Sequence, residues 1–154
     1  MIWEQFQWNK PLDEALFSTD PPPGYTEQKA QAVTVADQVQ EIVNALQVYS
    51  DLSEGFYPQV KVIYGDVIRD DMFKLAGIDP LKVRNPKDKN YVRISESMNG
   101  FARMTVIMRE NPDASYHGTS VGPHDKDKIL FRWKLEDESY QNIYGDLHSA
   151  KTNE

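Results

Sequence analysis

Residues 129–146 read Ile129-Leu130-Phe131-Arg132-Trp133-Lys134-Leu135-Glu136-Asp137-Glu138-Ser139-Tyr140-Gln141-Asn142-Ile143-Tyr144-Gly145-Asp146, and this stretch decides the fold. The run 129–135 is rich in branched and aromatic residues and places Ile129, Phe131 and Trp133 on one side, as a half-buried strand does. Glu136-Asp137-Glu138 then makes a tight connection, and Ser139 to Asp146 reads as a second strand, so the two form a hairpin. Upstream, an edge strand is expected over 115–121. Downstream, residues 148–154 are expected to be a frayed tail. The apolar side of such a meander needs a cover, and the preceding residues must supply it.

That cover is written as two long helical repeats. Val35, Val39, Ile42, Leu46 and Tyr49 recur at i, i+4, i+7, i+11 and i+14 with Ala36, Val43 and Leu52 beside them, while Asp37, Gln40, Glu41 and Asn44 take the other face. Thr34 with Asp37 three places on has the capping-box pattern, and Gly55 suits a left-handed stop, so a helix is expected over 35–53. The second repeat, over 89–110, carries Tyr91, Ile94, Met98, Phe101, Thr105 and Met108 and is ended by Asn111-Pro112-Asp113. Gly100 in its middle costs about 1 kcal/mol relative to alanine, which points to a close crossing with the first helix. Between the repeats, Val60 to Tyr64 is a short strand or an extended packing segment. Asp66 then caps a brief helix in which Ile68, Met72, Leu75 and Ala76 share a face, and Gly77 ends it. The predicted class is α+β: two long amphipathic helices packed on a small antiparallel sheet, as one domain over 34–147.

Residues 1–28 have a different character. Ile2, Phe6 and Trp8 fall on one face and Trp3 on the other, as in a strand over 2–8. Leu12, Leu16 and Phe17 then give about one helical turn, and Pro21-Pro22-Pro23 supplies no amide donors, so this is an extended arm in polyproline geometry. Most of the chain's three Trp, eight Tyr and six Phe fall on predicted core faces. Trp3, Phe6 and Trp8 do not, and they are the candidate binding residues, on a strand whose backbone groups are free to pair with another sheet.

Charge and motifs exclude several functions. The 24 acidic and 17 basic residues give a net charge of −7, and the basic residues are scattered, so the footprint of a nucleic-acid binder is missing. With no cysteine there are no disulfides, thiolate nucleophiles or Cys-based zinc sites. There is no apolar run long enough for a transmembrane helix, and the start is not basic then apolar as in a signal peptide. His117 and His124 flank a bend with Asp125, but their spacing matches no metal pattern, and they read as solvated loop histidines. Asp70-Asp71 and residues 136–138 read as capping and solvating acids. No catalytic residue, metal or cofactor is expected. Ile63-Tyr64-Gly65-Asp66 recurs as Ile143-Tyr144-Gly145-Asp146 without surrounding similarity, which favours chance, or two strand ends needing the same Gly-Asp turn, over duplication.

Two resemblances add to this reading. Phe6-Gln7-Trp8-Asn9-Lys10-Pro11-Leu12-Asp13-Glu14-Ala15-Leu16-Phe17-Ser18, closed by Pro22-Pro23-Gly24-Tyr25, is similar to the last strand and exit of outer-membrane lipoprotein carrier-like domains, half-barrels that shelter lipid chains or hydrophobic peptides. The rest of the half-barrel is missing here, so no lipid cavity is carried over, and the chain is expected to be a piece of a longer protein. From Thr34 onwards the chain resembles an uncharacterised bacterial extracytoplasmic domain, through Leu46 and Tyr49 with Gly55-Phe56-Tyr57-Pro58, Tyr116-His117-Gly118, Asp125-Lys126-Asp127-Lys128 and Ile143-Tyr144-Gly145-Asp146-Leu147. The Ala45-Leu46 to Tyr57-Pro58 stretch also looks like the helix exit of pilins and pseudopilins. These resemblances imply a periplasmic, non-enzymatic interaction module that follows a carrier-like region. Its partner would be another protein or its own upstream domain, and the N-terminal strand offers a route to oligomers. The alternatives are a pilin-like structural subunit and a hydrolase acting at His117, His124 or His148.

Overall fold

The computed structural model describes Gly24, residues 33–79 and residues 88–153. The chain divides into two units, Met1–Ala32 and Val33–Glu154. Gly24, an exposed turn residue, is the only described residue of the first. The strand expected over 2–8, with Trp3, Phe6 and Trp8, therefore lies outside the described residues. The second unit is α+β, with three helices followed by a four-stranded antiparallel sheet.

Helix α1 runs Val35–Leu52 behind the expected capping box: the Thr34 hydroxyl accepts from the Asp37 N–H at 3.1 Å and the Asp37 carboxylate accepts from the Thr34 N–H at 3.1 Å. Its exit turns left-handed one residue earlier than expected, at Glu54 (φ 58°), before Gly55 (φ 96°), whose N–H donates to the Ser50 carbonyl at 2.9 Å. Val60 to Tyr64 forms no strand; the chain bends at Lys61 and Val62 and buries only Ile63, whose carbonyl accepts from the Thr105 hydroxyl at 3.0 Å.

Helix α2 spans Gly65–Leu75. Asp66 does not cap it. Tyr64 holds the capping position without a side-chain bond, and Asp66 lies inside the first turn, where its carboxylate accepts from the Val67 N–H at 2.9 Å near the positive end of the helix. Ile68 and Met72 are buried as expected, but Leu75 is exposed and Phe73 takes its place, stacked on Tyr91 with ring centroids 5.8 Å apart. Gly77 (φ 67°) ends the helix in a Schellman pattern, with its N–H on Lys74 and the Ile78 N–H on Phe73.

Helix α3 spans Lys89–Glu110, with the expected bounds, and the Asp88 carboxylate caps it by accepting from the N–H groups of Asn90 and Tyr91. It crosses α1 at Gly100, where an added Cβ would lie 2.2 Å from the Glu41 carbonyl oxygen and 2.6 Å from the Ala45 Cβ. Around the crossing, the Tyr49 and Phe101 rings meet edge to face at 6.4 Å, and Arg103 pairs with Glu41 at 2.7 Å. Of the described helices, none is long and apolar enough to cross a membrane.

The strands are β1 (Ser115–Tyr116), β2 (Ile129–Lys134), β3 (Tyr140–Tyr144) and β4 (Ser149–Thr152), paired in chain order. β1 is shorter than expected because the His117 carbonyl accepts from the N–H groups of Ser120 and Val121, which turns the chain away from β2. A register shift between Ile129 and Phe131 buries both Leu130 and Phe131, so the expected alternation holds for Phe131 and Trp133 but leaves Ile129 half-buried. The residues expected to be frayed instead supply β4, which pairs with β3 along its whole length. Buried side chains from all three helices, β2 and β3 belong to a single core, with Ile42, Leu46, Met72, Phe101, Phe131 and Ile143 withdrawn from solvent.

The repeated tetrapeptide adopts two structures. Ile63 and Ile143 are both fully buried, but Gly65 begins a helix whereas Gly145 lies in a buried turn. Its two copies therefore do not share a Gly-Asp turn after a strand.

Candidate functional site

β4 owes its existence to two anchors. At its start, Leu147 takes φ 66° and donates to the Tyr144 carbonyl at 2.9 Å, while the Tyr144 N–H donates to the His148 carbonyl at 2.9 Å. The His148 ring stacks on Tyr144 with centroids 4.2 Å apart, and its Nδ1 contacts the Asp146 carboxylate. Further along, Lys151 pairs with Asp137 of the β2–β3 connection at 2.5 Å, and the Thr152 hydroxyl accepts from the Asn142 amide at 3.0 Å.

In an antiparallel ladder, residues alternate between those bonded to the neighbouring strand and those whose backbone groups point away. The Tyr144–His148 bond sets the phase, so Ala150 and Thr152 face β3 while Ser149 and Lys151 turn their N–H and C=O groups outward. Among the described residues no strand lies beyond β4. The edge is therefore a row of backbone donors and acceptors on which another strand can pair.

Beside this edge lies a groove of about 780 Å³ that reaches from Lys151 past the β2–β3 connection to the start of α1 and the end of α3. Its apolar lining comes from Val33, Val35, Val106, Ile107, Trp133 and Leu135. Val33, Val35 and Val106 are 47%, 39% and 40% exposed, which is high for a contiguous apolar group. Its lining balances three basic residues, Arg103, Lys134 and Lys151, against three acidic ones, Glu110, Glu136 and Asp137, and Arg103 pairs with Glu41, Lys134 with Glu138 and Lys151 with Asp137. The site thus offers backbone hydrogen bonds and apolar contact rather than net charge.

The Lys151 contact, followed by the Ser139 hydroxyl, holds the Asp137 carboxyl down from its ordinary 3.8 to about 2. A carboxylate with a depressed folded pKa contributes stability that is present above its unfolded value and lost as the pH falls through the folded one. The Asp137→Asn variant is therefore expected to show a shallower loss of stability between about pH 4 and pH 2 than the parent. Acid titrations followed by circular dichroism would show it, and identical acid limbs would deny Asp137 a part in holding β4.

The opposite end of β4 is braced by buried tyrosines. The Tyr57 hydroxyl donates to the Gly145 carbonyl at 2.5 Å, and burial pushes its pKa up to about 12. The Tyr116 hydroxyl donates to the Pro58 carbonyl at 3.1 Å and that of Tyr49 to Asp71 at 2.5 Å, and burial raises both above the ordinary tyrosine range. All three stay protonated donors at neutral pH: Tyr57 ties the segment after α1 to the β3–β4 turn, Tyr116 ties β1 to that same segment, and Tyr49 ties α1 to α2.

The other residues singled out from sequence do not converge. His117 Nε2 lies 3.2 Å from the Ser115 hydroxyl, and His124 lines a separate shallow depression beside Phe56. Asp125 accepts from the Gly122 N–H and pairs with Lys128. Asp70 pairs with Arg69, and Asp71 accepts from Tyr49. Among the described residues, no group of three or more His, Asp or Glu side chains is arranged to hold a metal ion. The β4 edge escaped the sequence reading because Ser149-Ala150-Lys151-Thr152 has no apolar alternation. Its one legible signal was the hairpin-forming Gly145-Asp146 pair just ahead of it. No protein-family model, curated protein or solved structure matches this chain.

Proposed function

We propose that this chain is a non-enzymatic interaction module of the bacterial cell envelope that works by strand addition. Residues 2–8 are the strand that adds to a sheet edge, Trp3, Phe6 and Trp8 are its anchors, and the β4 edge of this fold is the kind of edge such a strand meets. In this reading the module is extracytoplasmic and follows a lipoprotein-carrier-like region, α1 and α3 cover the small sheet, and residues 1–28 form an extended arm. The observation that carries it is the pairing of an outward-facing β4 edge with a charge-neutral apolar groove, machinery suited to polypeptide strands. The −7 net charge with scattered basic residues is in keeping with a protein partner over nucleic acid.

The test replaces Trp3 with a photo-crosslinking residue in the full chain, expressed in its native cell. The expected result is a discrete protein adduct in the envelope fraction that disappears when Phe6 and Trp8 are also changed to alanine. Absence of any protein adduct, or adducts indifferent to those two substitutions, would overturn the reading.

A further inference from the structure

We propose that the partner is a second copy of this chain: residues 2–8 of one copy pair with the β4 edge of the other and seat an aromatic anchor in the groove beside it. This inference rests on the strand-addition reading and specifies its acceptor. Three observations lead to it.

The first is register. Ser149 and Lys151 direct their backbone groups away from β3, so an incoming strand finds two hydrogen-bonding residues in the correct alternation. At the other margin of the sheet, β1 has only two residues before the chain turns off at His117, so it offers much less ladder.

The second is the position of the groove. Lys151 lines it, and Lys151 lies opposite Gln141, itself opposite Trp133, which also lines it together with Val106 and Ile107 of α3. The groove therefore opens on the same side of the sheet as the row Trp133, Gln141, Lys151. An added strand continues that row, and alternate side chains of the strand point towards the apolar lining formed by Val106, Val33 and Val35. A strand of the pattern Ile2-Trp3-Glu4-Gln5-Phe6-Gln7-Trp8 has aromatic residues on both faces, so whichever face turns that way presents an anchor.

The third is supply and reach. Every copy carries one donor and one acceptor, so reciprocal exchange closes as a two-fold dimer with no surface left over. Residues 9–32 span up to about 80 Å when extended, enough to reach a neighbour. The three consecutive prolines expected from sequence to be stiff favour reach over a tight return. The three basic and three acidic residues of the groove lining balance one another, so the seat itself carries no net charge to repel a second copy.

The experiment uses residues 1–154 in four forms, the parent and three variants, compared by sedimentation equilibrium. The donor-deficient form carries Trp3→Ala, Phe6→Ala and Trp8→Ala. The acceptor-deficient form carries Ser149→Pro, which removes an outward N–H without touching the bonds to β3, and a separate acceptor variant, Val106→Glu, alters only the groove. The parent is expected to dimerise, each deficient form to weaken dimerisation by about tenfold or more, and an equimolar mixture of donor- and acceptor-deficient forms to yield a heterodimer. Circular dichroism checks folding, and Val106→Glu keeps the test decisive where Ser149→Pro fails to fold. A parent that stays monomeric while its Trp3 crosslink forms within one chain overturns the inference, as does dimerisation indifferent to both acceptor variants. A Trp3 adduct to a different protein overturns the second-copy inference but leaves strand addition standing. No adduct at all removes both.

Discussion

Gly100→Ala is expected to lower the free energy of unfolding by about 2 kcal/mol, although alanine is the better helix former. In an open helix the change would gain about 1 kcal/mol. Here the new methyl meets the Glu41 carbonyl oxygen at 2.2 Å, the Glu41 carbonyl carbon at 2.8 Å and the Ala45 Cβ at 2.6 Å. Two of those three atoms belong to the α1 backbone, so no rotamer change relieves the contact, and the two helices must separate along a crossing that holds Phe101 and Tyr49 in the core. Overpacking of this kind costs typically 1–3 kcal/mol and more when it moves backbone. Urea denaturation would measure it, with Asn99→Ala as a control one residue away on the exposed face, expected within about 0.5 kcal/mol of the parent. Ala45→Gly added to Gly100→Ala should recover part of the loss and not all, because the Glu41 carbonyl remains in the way. A midpoint for Gly100→Ala equal to or above that of the parent would refute the close crossing.

The second large effect separates two glycines in identical tetrapeptides. Gly145→Ala is expected to cost about 3 kcal/mol, whereas Gly65→Ala should be neutral or stabilise by up to about 1 kcal/mol. A Cβ on Gly145 would lie 2.5 Å from the Gly122 carbonyl oxygen, 2.6 Å from that of Asp125 and 3.0 Å from Val121 Cγ1. It would also disturb the carbonyl that accepts from the buried Tyr57 hydroxyl, a bond whose loss leaves a polar group unmet away from water. At Gly65 the nearest atom is the Met98 terminal methyl at 3.9 Å, and the residue is in a helix, where alanine loses less entropy on folding. Thermal or chemical unfolding of the two single variants decides the matter. Equal effects would mean that the two segments share a conformation after all.

These outcomes also bear on how much was legible beforehand. The periodicities expected over 35–53 and 89–110 and the Thr34–Asp37 capping pair depend on neighbours within one or two turns, and the helices found, Val35–Leu52 and Lys89–Glu110, match them to within one residue. Gly100 was legible as a crossing point because a glycine at a mid-helix position carries a cost that only packing offsets. The cap expected at Asp66 lies two residues earlier, at Tyr64, since Asp66 satisfies an amide equally well from inside the first turn. Leu130 joined the core because a bulge, a matter of strand pairing, interrupted the alternation of β2. His117 and Asp125 each found a local partner and His124 lines a separate depression beside Phe56, so their proximity in sequence produced no joint site.

The chain by itself determined its class, its two long helices, its central hairpin and the exclusion of cysteine chemistry, because these follow from composition and from patterns repeating every two or three to four residues. Only tertiary structure decided that Ser149–Thr152 is a strand. Those four residues bury too little to order themselves, and they become β4 through a ladder to β3, a positive-φ turn at Leu147 and a Lys151–Asp137 contact fourteen residues apart in sequence. The candidate site inherits that dependence: its edge and its groove are made by segments that meet only when α1, α3 and the sheet have folded.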